Sequence, residues 1–189
     1  MSAKKLEAKF AELLDVHSQT VGHWREEANT VKKTVRDLAN HKEQEETFSR
    51  LAVTHLPIVE QFPTIQVDLN DKLHSKVLEL ESSLDESVNV FRGQMDHIVA
   101  LSKDCQDSAR DIPTEQLIKQ NEFKVPLAKY LESSEDIVSI YHLQYHLMVA
   151  FLEGLSSDSS AFDIAKNLEL YQCPVKYNNN TNSTSDKIA

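Results

Sequence analysis

The chain has 189 residues and a formal net charge of −10, with 40% hydrophobic and 26% charged residues. That length suits one domain with a real core, and the apolar content excludes wholesale disorder. Only 3 Gly and 5 Pro argue against a turn-rich β-sandwich or barrel, and the acidic balance disfavours wrapping of nucleic-acid backbones, which needs clustered Lys and Arg.

A four–three apolar repeat opens the chain: Phe10, Leu14, His17, Val21, Trp24, Ala28, Val31, Val35 and Leu38. Such a seam lies along one side of a long helix and requires another helix to cover it. It predicts a first helix over 3–40. His17 inside the seam reads either as a register-setting polar group or as an edge histidine with a half-exposed ring. Trp24 reads as core or as an interface anchor, given tryptophan's enrichment at binding hot spots. Gly22 reads as a tolerated interior glycine rather than a close helix crossing. Lys32, Lys33 and Arg36 form a short basic run, read as a solvated face.

From His41 to Thr64 the periodicity breaks, and a short helix is expected around Phe48, Leu51, Ala52 and His55. The pairs Leu56-Pro57 and Phe62-Pro63 hold the backbone out of the helical region. Leu56, Ile58, Val59, Phe62 and Ile65 are too apolar for a free linker. They either plug one end of the bundle or form a surface for a partner, and with Trp24 they are the candidate partner-binding residues.

A second long helix is expected over 66–108, with the stripe Leu69, Leu73, Val77, Leu80, Leu84, Val88, Phe91, Met95, Ile98, Leu101 and Cys105. Its spacing is nearer 3.6 than 3.5, which implies little supercoil. Residues 114–125 form a connector with Leu117, Ile118 and Phe123 as anchors. A third helix follows over 126–153, with Pro126 in its first turn. Its seam is Leu127, Leu131, Ser134, Val138, Tyr141, Tyr145, Met148, Leu152 and Leu155. A second stripe (Ile140, Leu143, Leu147, Phe151) predicts that this helix is the most buried element. Gly154 is expected to stop it in the left-handed conformation. A short helix over 161–170 should turn Phe162, Ala165 and Leu168 inward. The expected architecture is an all-α bundle of three long antiparallel helices within one domain, 1–177, followed by a disordered polar tail, 178–189.

No catalytic or cofactor signature competes with these seams. There is no P-loop, dinucleotide turn or nucleophile elbow. His142 and His146 lie four apart on one helix face, the spacing of a metal-binding pair, but no third ligand converges in the sequence and Leu143 stands where a protease needs Glu. They are read as surface residues, so no catalytic, cofactor-binding or metal residue is assigned. A His-pair metal hydrolase is the remote alternative. Cys105 and Cys173 have no metal-type spacing and make no disulfide framework. The N-terminus lacks a signal peptide, and no stretch reaches transmembrane length. The expected compartments are cytoplasm and nucleus.

The order of motifs resembles the AIRIM family. A long helix carries Val21-Gly22-His23-Trp24 near its middle, followed by Leu56-Pro57-Ile58-Val59-Glu60-Gln61-Phe62-Pro63-Thr64-Ile65 and then the Leu69/Leu73 start of a second long helix. The likeness covers residues 10–110. It implies a non-enzymatic adaptor that works with AFG-type AAA+ ATPases and with CINP, a second small helical protein. It also implies a role in cytoplasmic maturation of the large ribosomal subunit, where shuttling factors are released and recycled, and in protein turnover at the replication machinery. Pre-ribosomal particles would then be indirect partners, with no direct nucleic acid and no membrane. The stretch from Leu168 through Tyr171-Gln172-Cys173-Pro174-Val175 more faintly resembles CINP. The chain departs from the family in its third helix, which is basic there and has no Lys or Arg over Ile140–Leu147 here. A generic coiled-coil tether of another complex shares every helical feature.

Overall fold

A computed structural model describes residues 2–50, 62–119, 125–155 and 159–170. Every regular element among them is a helix: α1 (Ser2–Arg50), α2 (Ile65–Ala109), α3 (Thr114–Ile118), α4 (Leu127–Glu153) and α5 (Ala161–Leu170). The all-α bundle read from the seams is what the chain forms. The expected tail and residues 51–61 of the first connector lie outside the described residues.

Helix α1 is longer than its apolar periodicity predicts, running to Arg50 rather than ending near Asn40. The segment 41–50 contains neither Pro nor Gly and is rich in Glu, Gln and Lys, so its helix propensity survives the loss of an apolar stripe. Arg50 reaches back to Glu46 at 3.8 Å across one turn. Phe48 thus belongs to α1, and Leu51, Ala52 and His55 lie outside the described residues.

The buried line of α1 also differs from the expected seam. Leu6, Phe10, Leu13, Thr20, Trp24, Ala28, Val31, Val35 and Leu38 are buried, and Leu14 is 39% exposed. The line keeps alternating four and three only to Trp24, where two steps of four follow each other. That is the signature of a local phase shift in a heptad seam. Adjacent apolar pairs such as Leu13-Leu14 leave the choice of phase to packing.

The chain divides into two compact units, 1–26 with 90–147 and 27–89 with 148–172. In the first, Lys9 meets Asp104 at 3.3 Å and Trp24 meets Phe91 at 4.7 Å, so α1 and α2 run antiparallel. Helix α4 lies against both. Phe10 stacks on Tyr130 at 4.7 Å and Trp24 meets Tyr141 at 5.0 Å. Gln106 donates to Glu135 near one end of the contact and Arg92 to the Tyr145 hydroxyl near the other, which sets α4 antiparallel to α2, with Ser102 donating to Ser134 between them. In the second unit, Lys42–Glu81 at 3.7 Å and Glu45–His74 at 3.4 Å again pair α1 with α2 in opposite directions.

Helix α5 belongs to this second unit. Ser160 Oγ accepts the Asp163 N–H and donates to the Asp163 carboxylate, a reciprocal N-terminal cap. The Glu46 carboxylate accepts the Ala161 N–H at 3.1 Å, which ties α5 to α1. Ile164 is its buried residue, whereas Phe162 is 74% exposed and Ala165 is exposed. The expected inward set, Phe162, Ala165 and Leu168, is therefore corrected: the helix is rotated so that Ile164 enters the core and Leu168 is half-buried. Gly154 closes α4 without a left-handed φ. Its N–H bonds to the Ala150 carbonyl, and its own carbonyl accepts from the Asn167 side chain.

Candidate functional site

The aromatic centre of the first unit is built by seam positions on three helices. Trp24 is 2% exposed and Tyr141 is 2% exposed, with Phe91 fully buried between α1 and α2. His17 sits one layer away, its Nδ1 3.1 Å from the Tyr141 hydroxyl and its ring edge-on to that tyrosine. Burial holds the His17 imidazole below its ordinary pKa, favouring the neutral ring. The pair joins α1 to α4 by a hydrogen bond inside a mainly apolar seam, which suits a register function. Trp24 spends its surface on this core.

His142 and His146 stack with ring centroids 6.2 Å apart, and Tyr145 meets His146 edge-on at 5.6 Å. His146 is exposed and His142 half-buried. Among the described residues no group of three or more His, Cys, Asp or Glu is placed to hold a metal. Cys105 is fully buried, and that burial, reinforced by Asp104, pushes its thiol up to about 11. A thiol so protonated is a packing residue rather than a nucleophile.

Of the connector residues, Leu56, Ile58 and Val59 lie outside the described residues. Phe62 is 57% exposed and Ile65 is half-buried at the start of α2. Close by in sequence, Val67 is 60% and Leu69 is 40% exposed. In the second unit, Phe48, Thr47 and Gln44 of α1 and Leu69 and Leu73 of α2 line an open groove of about 480 Å³. Its walls are mainly apolar. The chemistry on offer there is hydrophobic docking, not proton transfer or ligation.

The second connector is corrected as well. Residues 114–118 form the one-and-a-half-turn helix α3, and Ile118 is 66% exposed instead of anchoring it. Phe123 lies outside the described residues.

The largest departure from the sequence reading is on α4. Its buried line is Leu127, Tyr130, Ser134, Ile137, Tyr141, Gln144 and Met148. The middle of the second stripe faces out, Leu143 being 62% and Leu147 46% exposed, while Ile140 and Phe151 at its ends are half-buried. The helix has two apolar seams, and the bundle covers only one. A sequence signal existed, since two stripes on one helix of a three-helix bundle exceed what two neighbours can cover.

A sequence model of the CA109-like family, described as ribosome biogenesis protein C1orf109-like, matches residues 4–187. No curated protein matches the chain.

Proposed function

The chain belongs to the C1orf109-like ribosome biogenesis family, the family of AIRIM, and from that premise we propose that it is a non-enzymatic adaptor subunit of an AAA+ ATPase complex. Its work in this reading is the cytoplasmic maturation of the large ribosomal subunit, where the ATPase strips shuttling factors so that they return to the nucleus. The chain accordingly operates in cytoplasm and nucleus, beside AFG-type ATPase subunits and a CINP-like helical protein. A second task, turnover of proteins at the replication machinery, uses the same adaptor chemistry.

The observation that carries the reading is the family match over nearly the whole chain. The architecture supports it. Apolar seams on long helices, an open apolar groove at Phe48, Leu69 and Leu73, and exposed Phe62 are features for holding other proteins. The connector residues Leu56, Ile58, Val59, Phe62 and Ile65 form the docking segment for the ATPase in this scheme.

Affinity purification of the tagged chain tests it. AAA+ ATPase subunits should co-purify in stoichiometric amount, accompanied by large-subunit precursors, and Phe62→Ala should lower their recovery without lowering the melting midpoint. Recovery of cytoskeletal or vesicle proteins instead would identify a generic coiled-coil tether. Stoichiometric metal in the purified chain, lost in a His142→Ala/His146→Ala double variant, would point to the hydrolase alternative.

A further inference from the structure

Helix α4 carries a seam whose centre no other helix of the described chain covers, Ile140 alone in it being half-buried. Asp136, Ile140, Leu143, Leu147 and Ala150 follow at steps of four, three, four and three, the repeat of a helix–helix contact. Leu143 and Leu147 at its centre are 62% and 46% exposed, and Ala150 is exposed. From Ile137 through Leu152 the helix has no Asp, Glu, Lys or Arg, in a chain that is 26% charged. Charge returns only at the ends of the stripe. Glu132, Glu135 and Asp136 stand at one end and Glu153 at the other, all exposed. Of the bases near the stripe, Lys129 is paired with Glu132 at 2.9 Å and Arg92 donates to the Tyr145 hydroxyl at 3.0 Å, while Lys103 and Arg110 lie on the α2 side of Glu135.

We infer that this face binds an amphipathic helix of a different protein, with an uncharged apolar seam and basic residues at both ends. The ends decide the occupant. A second copy docked antiparallel about the Leu143–Leu147 midpoint would bring Asp136 opposite Glu153 of its twin, and a parallel copy would oppose each acid with itself. Both set like charges across the contact, in a molecule already carrying −10. A helix with Lys or Arg at its ends meets acids at both edges, and its leucines enter between Ile140, Leu143 and Leu147. This surface goes beyond the adaptor reading and does not depend on which complex the chain serves.

Fluorescence anisotropy on the purified full chain tests the inference with a synthetic helix bearing Leu on a four–three seam, Ser and Gln elsewhere and Lys at both ends. A twin peptide with Glu at its ends is the control. The Lys-ended peptide should bind saturably, at least about tenfold more tightly than its twin, and added salt should narrow that gap. Leu143→Asp/Leu147→Asp should weaken it by a similar factor, although the added negative charge would strengthen any non-specific attraction to lysine. Leu143→Ser/Leu147→Ser provides the same test without new charge, and circular dichroism should report both variants folded. Equal binding of the two peptides, or undiminished binding to both variants, overturns the proposal. So does a wild-type dimer in sedimentation that the Ser variant converts to monomer, because the second copy would then be the occupant.

Discussion

His17 and Tyr141 form a polar joint in a mainly apolar seam, with the imidazole 3.1 Å from the phenol oxygen. Burial lowers the His17 pKa below its ordinary 6.5, so the folded chain resists a proton that the unfolded chain accepts. The sign follows from linkage. Between the lowered value and 6.5 the unfolded state binds more protons, so stability is intact above 6.5 and is lost as pH falls through the folded pKa. His17→Gln should therefore flatten part of the fall in melting midpoint between about pH 7 and about pH 5, as followed by circular dichroism. An identical pH slope in wild type and variant would mean that the ring titrates as if in water. The seam position of His17 was legible from spacing. Its partner was not, because nothing in a single sequence says which residue of a distant helix shares its layer.

At the scale of the helices, what separates a costly substitution from a cheap one is the phase of the seam. Leu13 is fully buried and its neighbour Leu14 is 39% exposed, so Leu13→Ala should cost about 2–5 kcal/mol and Leu14→Ala about 1 kcal/mol or less in urea denaturation. The same contrast holds between Leu84, 6% exposed, and Leu147, 46% exposed. Gly22 gives the opposite sign. A Cβ placed there meets nothing within 4 Å, so Gly22→Ala should stabilise α1 by about 0.5–1 kcal/mol, read from the same denaturation curves. The existence and order of the long helices were plain from their apolar repeats, and α2 was placed within a residue or so at each end. The end of α1 was not, because residues 41–50 keep helix propensity after the apolar stripe stops. The seam of α4 was read correctly at Leu127, Ser134, Tyr141, Met148 and Leu155, but its second stripe and the orientation of α5 were misread for a related reason: Leu143, Leu147 and Phe162 are as apolar as core residues, and only the number of covering neighbours shows that they face out.

For the whole molecule, membership of the C1orf109-like family assigns a role in ribosome biogenesis, and the all-α bundle with uncovered apolar surface is a structure suited to holding partners. The candidate docking residues were partly legible. The Leu-Pro and Phe-Pro punctuation drew attention to the first connector, and Phe62 does stand exposed, whereas Trp24 is enclosed by Phe91 and Tyr141. A tryptophan on a seam looks the same in sequence whether a partner or the bundle itself covers it. The measurement that bears most directly on the adaptor account is the shuttling-factor content of cytoplasmic large-subunit precursors after the chain is depleted. Shuttling factors should stay bound to those particles and fall in the nucleus, with recovery on re-expression of the wild-type chain. Unchanged particles, with free large subunits at their normal level, would contradict it.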